Sequence, residues 1–188
     1  MLKDNGFGKL GFNSLALLYF TFGVCAFFAS PVVKVLGSKY SMFIGSMCYT
    51  FYVGSFILAA LRSSTHPGLS KIVVQVAVMF TAALNGFGAS ILWVAQGNYL
   101  AKCATNENKG KFNSIFWAFY MASYVLGNIL TTFVITNVNL VQFYIIMTTI
   151  CFLASCFFLF LKPAENHPTQ ESTIETDEAG SLLTNDAS

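Results

Sequence analysis

Two lines of neutral polar side chains mark where this chain could do chemistry. In the segment from Ile72 to Leu100, Gly86, Ser90 and Gly97 fall on one helical stripe with Trp93 between them. Asn85 and Gln96, eleven residues apart, fall on the adjacent stripe. In the segment from Phe112 to Ile135, a period of 100° per residue gathers Asn113, Trp117, Tyr120, Tyr124, Gly127, Asn128 and Thr131 within about 100° of arc. Ile115, Ala118, Ala122, Val125, Leu126, Ile129 and Phe133 fall opposite. Residues of these types support two kinds of chemistry. Small residues let helix backbones approach, and amides hydrogen-bond between helices for about 1 kcal/mol each in an apolar medium. Alternatively the stripes line a cavity, where the faces of Trp93, Trp117, Tyr120 and Tyr124 would hold an organic cation by cation–π attraction.

Other chemistries find little support. No Asp, Glu, Lys, Arg or His lies inside the uncharged segments, which argues against proton-coupled transport by these segments alone, because ionisable side chains in a membrane are the usual proton relays. No nucleophile–base pair occurs within them, and His66 and His167 fall in a turn and in the tail, so no enzymatic activity is expected. Cys25, Cys48, Cys151 and Cys156 lie within the segments and Cys103 just beyond one; without C-x-x-C spacing they read as small apolar packing residues, and no metal or cofactor is expected.

The elements that must position the stripes follow from charge. Four stretches carry none: Leu10 to Val33, Tyr40 to Leu61, Ile72 to Ala101 and Phe112 to Leu161, of 24, 22, 30 and 50 residues. A bilayer core needs about 20 apolar residues of helix, so the first three stretches are one crossing each and the fourth is two. Charged residues make up only 10% of the chain, where a soluble domain carries about 25%, and aromatics reach 16%. The expected fold is therefore all-α and integral to the membrane, with helices at 10–30, 40–61, 72–100, 112–135 and 140–161. Pro31 ends the first, Pro67-Gly68 breaks the chain after the second, and Thr136-Asn137-Val138-Asn139 supplies the turn inside the longest stretch. Residues 1–9 form a short N-terminus. Residues 163–188 are acidic and lack aromatics, a composition expected to stay disordered. No cleavable signal peptide and no N-x-S/T sequon is visible.

Lysine and arginine counts give an orientation. Lys3, Lys9, Arg62 and Lys71 fall on one side; Lys34, Lys39, Lys102, Lys109, Lys111 and Lys162 fall on the other. The richer side is expected in the cytoplasm, with the N-terminus outside and the acidic tail inside. In that tail Glu178, Leu182 and Leu183 fit an acidic di-leucine pattern, a sorting signal that would direct the protein to endosomes or lysosomes. The scattered lysines form no patch for nucleic acid.

Gly86-Phe87-Gly88-Ala89, then Leu92-Trp93, then Gln96-Gly97-Asn98-Tyr99-Leu100, resembles the G-x-G-A…L-W…Q-G-x-Y-L signature of the unc-ninety-three family, which includes ion-channel regulatory proteins. Gly11-Phe12-Asn13-Ser14-Leu15 with Tyr19 is similar to the same family, as are Pro31 with Leu36-Gly37-Ser38-Lys39-Tyr40-Ser41-Met42 and Tyr49, and Phe116-Trp117 with Ser123 and Gly127-Asn128. The resemblance implies a divergent major-facilitator fold built of two six-helix halves, with this chain corresponding to the second to sixth helices of the first half. Facilitators carry G-x-x-x-D-R-x-G-R-K after the second helix. Here Gly37 and Lys39 match, but Ser30 stands at the first glycine and Lys34 at the acid, so the contact that the carboxylate makes is lost.

What the resemblance implies of function is a non-enzymatic membrane protein that regulates or escorts others, as relatives linked to potassium channels and innate immune receptors do. A facilitator-type solute transporter, present as a half or fragment, is the alternative. The implied partners are the bilayer, a channel or receptor, and the missing helices in cis or on a second half-protein. The plasma membrane or the endolysosomal system is the expected location.

Overall fold

The computed structural model describes residues 8–64, 70–105 and 108–162, and among these the chain is all-helical. Five helices are long and apolar enough to cross a membrane: α1 (Leu10–Leu36), α2 (Ser38–Ser64), α3 (Lys71–Cys103), α4 (Lys109–Asn137) and α5 (Leu140–Phe157), the last extended by a 3-10 turn, Phe158–Phe160. Lipid offers no partner to a backbone N–H or C=O, so uncharged runs of this length must satisfy their backbones internally, as helices do.

The same demand explains where the helices end. The expected stop at Pro31 is corrected: α1 passes through Pro31 to Leu36. One lost backbone hydrogen bond costs less than a frayed end in lipid, where every later carbonyl and amide would lack water. The stop comes instead at Gly37, whose φ of 78° and ψ of 155° lie where side-chain-bearing residues are strained. Its N–H donates to the Val33 carbonyl at 2.9 Å, and α2 begins at the next residue. The third and fourth helices likewise run past their expected bounds. The break near the middle of the long stretch falls at Val138–Asn139, with Thr136 and Asn137 still helical. Asn139 then opens α5 with a capping box, its own N–H donating to the Gln142 side-chain oxygen at 3.2 Å. The 163–188 tail with its di-leucine residues, and the Pro67-Gly68 break, lie outside the described residues.

Helix α3 is the centre, flanked by α1 and α2, and α5 packs on α2. Leu10, Ala59, Val74 and Val78 form a buried cluster at one end of the bundle, with Phe56 and Met79 against them. Ala29, Val33, Met42, Ile91 and Ala95 form another at the opposite end, packed by Tyr99, Phe158 and Leu161. Each cluster joins the start of one helix to the end of the next, as antiparallel up-and-down helices require. On α1 a narrow seam of Leu10, Ser14, Leu18, Ala29 and Val33 is buried, while Phe12, Phe27 and Phe28 point outward.

Candidate functional site: an interhelical seam and a cleft

The stripe on α3 divides at Ser90. Its first part is sealed in the bundle. Gly86 lies so close to α1 that a Cβ there would come within 2.5 Å of the Leu18 carbonyl oxygen and 2.8 Å of the Thr21 Cβ. Ser90 is buried and turns its hydroxyl back to the Phe87 carbonyl at 2.7 Å. Asn85 is 1% exposed, and neither atom of its amide has a hydrogen-bond partner among the described residues. A buried amide without partners costs on the order of 1–3 kcal/mol, so this position is held at the expense of stability.

The second part of the stripe opens. Gln96 and Gly97 line a cleft of about 430 Å³ between the last turns of α3 and the first turns of α4, together with Trp93, Lys109, Asn113, Phe116 and Trp117. Aromatic rings bridge the two helices. The Trp93 and Trp117 rings stack with centroids 6.5 Å apart, and Tyr120 meets each of them edge-on at 5.4 Å. Tyr124 continues the row, 5.6 Å from Tyr120. Offset and edge-to-face pairs of this kind add about 0.5–1.5 kcal/mol beyond their area. Gly97 is exposed and a Cβ on it would touch nothing within 4 Å, so it widens the cleft without bringing two backbones together.

On α4 no residue is buried. Its polar arc turns toward α3 only over its first half, where Phe116 and Tyr120 are half-covered. Tyr124, Gly127 and Asn128 are exposed, and a Cβ on Gly127 would meet nothing within 4 Å. Asn128, Thr132 and Thr136 border a shallow open groove of about 520 Å³ on α4, beyond the turns that meet α3. Each turns a donor back on its own helix: Asn128 Nδ2 to the Tyr124 carbonyl at 3.0 Å, Thr132 Oγ1 to the Asn128 carbonyl at 2.9 Å and Thr136 Oγ1 to the Thr132 carbonyl at 3.0 Å. These back-bonds leave acceptor capacity on the Asn128 side-chain oxygen and on the hydroxyls.

Sequence reasoning missed a close approach between α2 and α3. Gly45 of α2 meets α3 so closely that a Cβ would stand 2.6 Å from the Gly88 carbonyl oxygen, and a Cβ on Gly88 would collide with the Cys48 side chain. The signal was present as small residues at Gly45 and Cys48, three apart on α2, facing the G-x-G of α3. Two polar pairs were also missed. Ser14 and Tyr52 join α1 to α2 through their hydroxyls at 3.1 Å, and Thr50 and Ser155 join α2 to α5 at 3.3 Å. Residues 38 and 105 positions apart cannot be paired by helical spacing alone.

Five apolar helices around a glycine-lined seam, with hydroxyl pairs among the interhelical polar links, define a multi-pass α-helical membrane protein. The family model described as "Ion channel regulatory protein UNC-93" matches residues 8–185. The chain is 27% identical over 185 residues to UNC93-like protein MFSD11 of Xenopus tropicalis, covering 95% of this chain and 38% of the relative. It is 34% identical over 133 residues to UNC93-like protein 3 of Arabidopsis thaliana, covering 65% and 25% respectively. It is 30% identical over 112 residues to UNC93-like protein C922.05c of Schizosaccharomyces pombe, covering 60% and 20%. No solved structure matches. The chain belongs to the UNC-93 family, and it spans about two-fifths or less of the length of these curated relatives.

Proposed function

We propose that this chain serves as a non-catalytic membrane partner, regulating or escorting another membrane protein through lateral contact along α4. One observation carries the reading. Helix α4 buries none of its residues, yet it sets an amide and two hydroxyls, Asn128, Thr132 and Thr136, along an open groove beyond the turns that meet α3. Polar side chains facing lipid are unfavourable compared with the same groups paired across an interface, so such a face favours a neighbouring helix. The family's description as ion channel regulatory protein supports the same reading. The orientation with the N-terminus outside, a plasma-membrane or endolysosomal location, and sorting by Glu178, Leu182 and Leu183 belong to it as well.

The test is co-expression with a potassium channel, with photo-crosslinkable residues placed one at a time along α4. Adducts to the channel from positions 128 and 132, and none from the exposed Val76 of α3, are the expected pattern, together with a change in channel current on Asn128→Leu. A second reading, a facilitator-type solute transporter, is favoured by the aromatic cleft at Trp93 and Trp117. Saturable solute uptake by reconstituted vesicles, abolished by changing Asn85, Gln96 or Asn128, would replace the first reading with the second.

A further inference from the structure

The cleft between α3 and α4 has a polar composition that interhelical packing does not use. Lys109, Asn113 and Gln96 all line it, and among the described residues none of the three makes a side-chain hydrogen bond or ion pair. Trp93, Phe116 and Trp117 form its apolar wall, and among the described residues no acidic side chain lines it. Its position is defined by the chain itself. The cleft begins where α3 and α4 leave their uncharged segments, beside Lys102 and Lys111, and reaches inward to Trp93, about 16 Å along α3 from Ala104 at 1.5 Å per residue. That depth runs from the headgroup layer into the upper acyl region.

The charge selects the ligand. An organic cation held over the indoles would share the cleft with the Lys109 ammonium, and among the described residues no carboxylate lines the cleft to offset the repulsion. An anion is favoured by the same lysine and by the amide N–H groups of Asn113 and Gln96. An anion with an apolar body also suits the three rings, and indoles are at home at the level where headgroup meets acyl chain. Phe112 and Phe119, one turn before Phe116 and one turn after, are exposed on the same face of α4 and continue the apolar surface past the cleft.

We propose that this cleft is a binding site for an acidic glycerophospholipid. Its phosphate sits at Lys109 Nζ, the amides of Asn113 and Gln96 donate to phosphate and ester oxygens, and its acyl chains lie over Phe116 and Trp117. Basic recesses between transmembrane helices bind acidic headgroups by this combination of charge and amide donors. The proposal does not depend on whether the protein regulates a channel or transports a solute.

The chain contains only two tryptophans, Trp93 and Trp117, and both wall the cleft, so its intrinsic fluorescence reports on this site. The experiment reconstitutes the full chain in phosphatidylcholine vesicles containing increasing fractions of dibrominated phosphatidylserine or, in parallel, dibrominated phosphatidylcholine, and measures quenching. The expected result is an apparent preference for the acidic lipid of about fivefold, the ratio typical of one basic residue near a membrane surface. Lys109→Gln should remove that preference, and Lys34→Gln, on α1 away from the cleft, should retain it. Circular dichroism of each variant establishes that its helices persist. Equal quenching by the two lipids, or full preference in Lys109→Gln, overturns the proposal. Loss of the preference on adding inorganic phosphate at constant ionic strength also overturns it, because the site would then take a free anion and not a lipid.

Discussion

Helix α3 meets α2 and α4 in opposite ways, although the residues it offers to each lie within a few turns of one another. Toward α2 it presents Gly88, and the partner answers with Gly45 and Cys48, so backbone lies on backbone with no room for a methyl group. Toward α4 it presents Trp93, and the partner answers with Trp117 and Tyr120, so rings span a gap that leaves about 430 Å³ open. In lipid there is no hydrophobic gain from bringing two apolar helices together, and close van der Waals contact has to supply the affinity. The glycine seam supplies it along a continuous line, whereas the aromatic bridge supplies it at a few points. A bundle that is tight on one flank and loosely bridged on the other can hold its shape while changing what occupies the loose side.

That contrast can be broken most directly at Gly88. Gly88→Leu should force α2 and α3 apart and destabilise the bundle by about 3 kcal/mol, the upper range for overpacking, read as an earlier midpoint in SDS titration of mixed micelles. Gly37→Ala strains the φ-positive junction instead of the seam and should cost about 1–3 kcal/mol in the same titration. Trp117→Ala removes one of the two α4 rings that meet Trp93 and should cost about 1 kcal/mol, with the remaining Trp93 emission shifting as its stacking partner is lost. Thr50→Val deletes the hydroxyl shared with Ser155 and should cost about 0.6 kcal/mol, typical of interhelical hydrogen bonds in membranes. Gly127→Ala on the open side of α4 should change stability by less than about 0.5 kcal/mol. If Gly127→Ala proved as damaging as Gly88→Leu, the two flanks would not differ as described.

The number of helices and their approximate places were legible because lipid imposes a length on every uncharged run, and the runs here are unbroken. The ends were less legible. Pro31 reads as a terminator by the rules of water-soluble helices, but in lipid the cost of leaving several carbonyls bare outweighs one missing N–H, and only Gly37 stops the helix. The polar stripes were visible, but their division was not. Gly86 and Gly97 carry the same residue type eleven positions apart; one is wedged against Leu18 and Thr21 and the other faces open space. Which glycine finds a neighbour depends on how α1 and α4 are placed around α3, and a single helix's periodicity contains no such information. Family resemblance reached further than periodicity at the G-x-G of Gly86 to Gly88, where alternate glycines serve two different partners.

The one-residue link at Gly37 has a consequence for how the molecule is made. With no slack between them, α2 must re-enter the bilayer in the opposite sense as soon as α1 ends, so the sidedness of the two spans is set together. The two spans do not lie against each other along their length, because α3 stands between them; beyond the Gly37 junction the Ser14–Tyr52 hydroxyl pair ties them directly.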